Sequence, residues 1–177
     1  MKNFIQQHTQ ISREITVQMP VVDFERAFRQ EIHPADTEEI ERTKFKIAKE
    51  NYDVKYHGWV SAYQFYVRPV FRFLNRSSIY FIIEGSYVQE NQHTKVTYTI
   101  RPSAKSLAAG FYFYTALAII GFGMSLYLYN LTKNNILVIN ALLCIPLPVL
   151  FTIFPYKMAL KPAFQAFESD LINLSIS

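Results

Sequence analysis

Hydrophobic and polar positions follow two different rules along this chain. Over roughly the first hundred residues they alternate at short periods, and from Ser106 onward they nearly stop alternating. Ile11, Ile15, Val17 and Met19 are apolar with polar residues between them, the period of a half-buried strand. Phe24, Ala27, Phe28 and Ile32 then share one helical face, with Asp23 placed to cap it and His33-Pro34 to end it. The charged run from Pro34 to Glu50 predicts a loop with a short exposed helix or edge strand. From Tyr52 the period is two again. Val54, Tyr56, Gly58 and Val60 oppose Asp53, Lys55, His57 and Trp59, and Tyr63 to Val67 continues the pattern. Ser78–Val88 and Thr94–Ile100 read as two long strands joined by a hairpin turn at Glu90–His93. Four or five strands in a mainly antiparallel sheet follow.

The back half obeys the other rule. Ser106 to Thr132 carries no charge, and after Lys133 the stretch Asn134 to Tyr156 carries none either. Crossing about 30 Å of hydrocarbon takes about 20 helical residues. Two spans, over about 107–129 and 136–155, therefore form a transmembrane hairpin joined at Asn130–Asn135. Pro146 and Pro148 predict a kink in the second span. Beyond it, Phe164, Phe167, Leu171 and Leu174 recur at helical spacing, with Pro162 at a tolerated helix start. The predicted fold class is α+β: a small mainly antiparallel sheet with helices, plus a two-helix transmembrane hairpin. Residues 1–105 form the soluble domain, 106–156 the hairpin, and 157–177 an amphipathic helix that packs back on the domain.

Charge orients this arrangement. Lys95, Arg101 and Lys105 precede the first span, Lys157 and Lys161 follow the second, and the connecting turn offers only Lys133. The positive-inside rule puts both termini in the cytoplasm. Aromatics cluster at Phe111–Tyr114, Tyr127, Tyr129, Phe154 and Tyr156, the levels of an interfacial belt. The first ten residues show no apolar signal-peptide core. A net charge of +4 is too small to point to nucleic acid, and the single Cys144 allows neither an intrachain disulfide nor a cysteine metal site.

One stretch carries a resemblance. Gly58-Trp59-Val60, then Arg76-Ser77-Ser78-Ile79-Tyr80-Phe81-Ile82-Ile83-Glu84-Gly85, then Thr94-Lys95-Val96 resemble the pattern of a family of small bacterial membrane proteins of unknown function. Those proteins have a split cytoplasmic α+β domain and two transmembrane helices. Phe81 stands where the family pattern has proline, and Ser77 where it has asparagine. The resemblance covers about half of the chain, implies the architecture and supplies no catalytic residues.

Reactive constellations are sparse. The chain has no GxGxxG, P-loop, HExxH or CxxC motif, and its four histidines are far apart. His57 alternates outward on a strand and reads as a surface residue. No catalytic residue, metal site or cofactor is expected. Candidate contacts are Arg68, Arg72 and Arg76, which recur every four residues among aromatics. They suit lipid headgroups through arginine's planar fork, or pairing with the acids at 36–41. Within the spans, Asn140 is placed to bond a neighbouring helix or a partner, and Gly121 and Gly123 allow close backbone approach. No ionisable group lies inside either span, unlike the usual ion path. These features point to a non-enzymatic accessory or interaction subunit of a membrane complex, with lipids and other subunits or self as partners. The alternative is a module for lipid or another apolar ligand, suggested by fifteen phenylalanines and twelve tyrosines.

Overall fold

The computed structural model describes residues 10–41, 54–70 and 81–176. Its alternating segments pair into one six-stranded sheet in the order β1-β6-β5-β4-β3-β2. The strands are β1 Ile11–Val17, β2 Ile32–Pro34, β3 Tyr56–Ser61, β4 Gln64–Pro69, β5 Phe81–Glu90 and β6 His93–Pro102. All neighbours are antiparallel except β2 on β3, which is parallel, so the sheet is mixed. Five helices are present among the described residues: α1 Val21–Gln30, α2 Thr37–Glu41, α3 Ala104–Thr132, α4 Ile136–Leu143 and α5 Leu147–Leu174. The chain is α+β.

One face of the sheet is the core. Period-2 alternation brings Tyr56, Phe65, Val67, Phe81, Ile83, Tyr87, Val96, Tyr98 and Ile100 to it, where Phe24 and Phe28 of α1 meet Phe164, Phe167, Leu171 and Leu174 of α5. Gly85 stands in register between Phe65 and Tyr98. A Cβ there would press on the Phe65 ring at 2.7 Å and on the Tyr98 Cβ at 2.9 Å. Glycine at this position is what lets two aromatics flank one strand. The β5–β6 turn holds Asn91 at φ 57°, a left-handed conformation that asparagine tolerates.

Two elements depart from the pattern-based reading. Ile32–Pro34, expected only to end a helix, forms β2. Pro162, expected to open a separate tail helix, lies inside α5, as does Pro155. Each proline removes one backbone donor. The helix continues through both because side chains on either side hold it: Tyr156 and Leu160 are buried before Pro162, and Phe164 and Phe167 after it.

The long helices leave the sheet together. Ser103 ends β6 and caps α3, its hydroxyl accepting from the Ser106 amide at 3.1 Å. The Ser106 hydroxyl bonds the Tyr156 hydroxyl of α5 at 2.8 Å, and Tyr156 packs edge-on against Phe81. At the far end Lys133 caps α3 in a left-handed conformation, and the Asn134 side chain accepts from the Ile136 amide to open α4. The helix breaks at Cys144–Pro146, and α4 and α5 meet at 52°. Pro146 supplies no amide and disfavours helical geometry at Ile145, which accounts for the expected kink.

Candidate functional site

The second face of the sheet is polar, and strand register decides which polar groups meet on it. Parallel pairing sets His33 beside His57, and β3–β4 pairing sets His57 beside Arg68. The two imidazoles lie 5.2 Å apart, edge to face. Two register positions further along, on the same face, Trp59 lies beside Tyr66 and Tyr66 beside Glu84. Trp59 stacks on Tyr66 with an interplanar angle of 14°.

Four charged or hydroxyl groups close a network over this stack. The Tyr66 hydroxyl donates to Glu41 at 2.7 Å. Arg101 donates to Glu84 at 3.2 Å, to Glu41 at 3.2 Å and to the Tyr66 oxygen at 2.9 Å. Burial first, and then the Glu41 hydrogen bond, push the Tyr66 phenol above its ordinary range, so it stays a donor. Glu41 belongs to α2, whose Ile40 is buried against Tyr66 and Ile82. The network thus pins a short helix onto the polar face. Asp36 opens that helix by accepting from the Glu39 amide at 2.7 Å. Among the described residues no group of three metal-ligating side chains converges.

His57 is the main correction to the sequence reading. It is 3 % exposed, not a surface residue. Burial, followed by the neighbouring His33 and Arg68, pulls its imidazole down to about 4. Nothing local in the sequence signals this, because the neighbour arrives by a parallel pairing across more than 20 residues of chain.

Arg68 sits on β4, not on a helix, and is 4 % exposed. It donates to the Ile40 carbonyl at 3.2 Å, which places it in the acidic segment but on a backbone oxygen. Arg72 and Arg76 lie outside the described residues. The structure therefore gives no common face for the three arginines.

The remaining candidates sit in the helical pair. Gly121 lies on the seam between α3 and the α4–α5 break, where a Cβ would be 3.3 Å from the Cys144 sulfur. Ala118 and Ser125 are half-buried like Gly121 on α3, and Ala141, Pro148 and Thr152 are buried on α4 and α5. Thr115 and Thr152 each donate to a carbonyl in their own helix, at 2.7 and 2.6 Å. Gly123 faces open space, and Asn140 is exposed. Comparison with protein-family models, curated proteins and solved structures finds no match to this chain.

Proposed function

We propose that this chain is a non-catalytic, membrane-anchored interaction subunit. α3 and the bent pair α4–α5 are its two transmembrane spans, and the sheet domain lies on the cytoplasmic side of an inner membrane. One observation carries the reading: α3 and α4–α5 are ringed by large exposed apolar side chains, including Tyr112, Ile119, Ile120, Met124, Leu131, Ile139, Leu143, Ile145, Phe151 and Phe154. Water-facing surfaces rarely hold contiguous apolar patches beyond a few hundred Å². A core helix of a soluble fold is mostly buried, whereas the most apolar stretch of α3 is 11 % buried. At 29 residues, α3 is about 43 Å long, enough for the hydrocarbon and both interfaces.

Topology supports the second span. α3 starts on the sheet, and the C-terminal half of α5 ends on the same sheet. A chain that leaves the domain through one crossing must make a second to return, so the 52° break falls within a span. Small residues on the less exposed sides of the two helices, Gly121 beside Cys144 and buried Ala141 and Thr152, suit close packing of two helices where no water is expelled.

The interaction role rests on Asn140, an exposed amide on an apolar helix. In hydrocarbon such a group gains by hydrogen-bonding a partner helix. An apolar-ligand module draws on the same aromatic content. In the domain, however, Phe167 lies within ring contact of Phe28, Tyr56, Phe65 and Tyr98, so those aromatics fill their own core. Extraction in mild detergent, chemical cross-linking and native mass spectrometry test the reading. Wild type should carry a stoichiometric subunit or a second copy, and Asn140→Leu should lose it. A solitary protein carrying a defined apolar ligand would sink the proposal in favour of the alternative.

A further inference from the structure

The structure gathers the exposed cations of the long helices at one level. Ser106 of α3 and Tyr156 of α5 touch through their hydroxyls. Lys105 and Lys157 are therefore side by side in depth, and Lys161 is one helical turn nearer the sheet. All three are exposed. No described ion pair involves any of them. The sequence explains why: α3 contains no acid, and the first acid of α5 is Glu168, which already accepts from Arg13 and Tyr98. Exposed Tyr112, Phe113 and Phe154 lie on the apolar side of this level, and exposed Met158 stands between Lys157 and Lys161. The opposite end of the helices offers only Lys133, which lies over the Tyr129 ring at 5.7 Å.

We propose that Lys105, Lys157 and Lys161 form a collar that holds anionic phospholipid headgroups in the leaflet adjoining the sheet domain. Charge complementarity selects this occupant. Three unpaired ammonium groups stand above an apolar, aromatic-rimmed surface, which matches a layer of negative headgroups over acyl chains. The collar takes the role that the sequence pattern offered to Arg68, whose guanidinium is buried against Ile40. The inference rests on the membrane-spanning reading of α3–α5 and adds a lipid class to it.

The test uses the full chain reconstituted in vesicles of phosphatidylcholine and phosphatidylglycerol, with each lipid spin-labelled in turn. The motionally restricted lipid shell should favour phosphatidylglycerol, by about fivefold for a headgroup held by one lysine. Raising the salt should weaken the preference. The triple variant K105Q/K157Q/K161Q should bring it to parity, and K133Q should leave it unchanged. Equal retention of both lipids by wild type, or an undiminished preference in the triple variant, overturns the collar. Alkaline carbonate extraction of the same vesicles separates the two proposals. Protein that stays inserted but shows no preference refutes the collar alone, whereas protein released by carbonate refutes the spanning reading and the collar with it.

Discussion

Helix α5 is one helix in two environments. Phe154 in its first half is 65 % exposed, and Phe167 in its second half is 1 % exposed. The two are 13 positions apart on a helix with no break between them. Around Phe167 the polar residues are sorted: Glu168 accepts from the Tyr98 hydroxyl and Asp170 accepts from the Tyr56 hydroxyl of β3. Around Phe154 there is nothing to sort, because every side from Leu147 to Tyr156 is uncharged. A helix needs a polar face only where water is the outer solvent. The contrast therefore places the change from an uncharged, exposed apolar surface to a sorted, half-buried one near Pro155–Lys157.

The largest expected effect comes from truncating the two phenylalanines. Phe167→Ala removes a ring packed by four other aromatics and should destabilise the sheet domain by about 3–5 kcal/mol. Phe154→Ala should change domain stability by less than about 0.5 kcal/mol. Urea titration in detergent micelles, followed by Trp59 fluorescence, measures both. Equal losses would mean that Phe154 is packed in the native assembly.

The glycines offer the same contrast at a smaller scale. At Gly58 an added Cβ would overlap the Tyr66 carbonyl across the β3–β4 pair, and at Gly85 it would overlap the Thr97 carbonyl. Either alanine should cost about 2–4 kcal/mol. Gly110 and Gly123 meet nothing within 4 Å. Alanine there should be neutral or up to about 1 kcal/mol stabilising to the helix. The same urea titration, paired with yield of folded protein after detergent extraction, checks all four. A folded, unperturbed Gly85→Ala would contradict the packing of Phe65 against Tyr98.

The two regions also differ in how legible they were. In the helices, local composition sufficed to place α3, and two prolines marked the α4–α5 break. In the sheet, the alternation of Val96, Tyr98 and Ile100 and the turn after Glu90 were local signals, and the structure follows them. β2 was missed because three residues carry no period, and its partner lies more than 20 positions away. That omission hid the meeting of His33 with His57. It also hid the role of Glu41, whose partners Tyr66 and Arg101 come from two other strands. Arg68 misled for the opposite reason. Its spacing to Arg72 and Arg76 fits a helix, but Val67 and Arg68 pair as strand with β3. Pairing on both sides, with β3 and β5, outranks a four-residue period here.

His57 makes the sheet domain responsive to pH, whereas the uncharged runs of the helical pair hold no ionisable acid, lysine, arginine or histidine. Its folded value, near 4, lies below the ordinary 6.5. The unfolded chain therefore binds the proton more readily between those values, and stability falls as pH drops through that window. The stabilisation is fully present above about pH 6.5, and about 2–3 kcal/mol of it is lost by pH 4. His57→Gln should flatten this slope. Urea midpoints measured from pH 7 to pH 4 decide it, and an unchanged slope in the variant would assign the acid sensitivity to other groups.

The smallest effect lies where the two environments meet. Tyr156 reaches across from α5 to Ser106 while its ring packs against Phe81. Tyr156→Phe keeps the ring and removes one hydrogen bond, a loss of about 1 kcal/mol. Ser106 is itself nearly buried, so its hydroxyl is left with fewer partners in the variant. Ser106→Ala together with Tyr156→Phe removes both ends, and should cost less than the sum of the single changes if the two hydroxyls bond only each other. The loss should be felt at the junction. Amide exchange should quicken at the start of α3 and around residue 156, the hinge between sheet and helices, and stay unchanged at Phe167 and at Ala141. Faster exchange along the whole of α5 would mean that the helix transmits the loss from one environment to the other, and the junction would then be a coupling point rather than a local clasp.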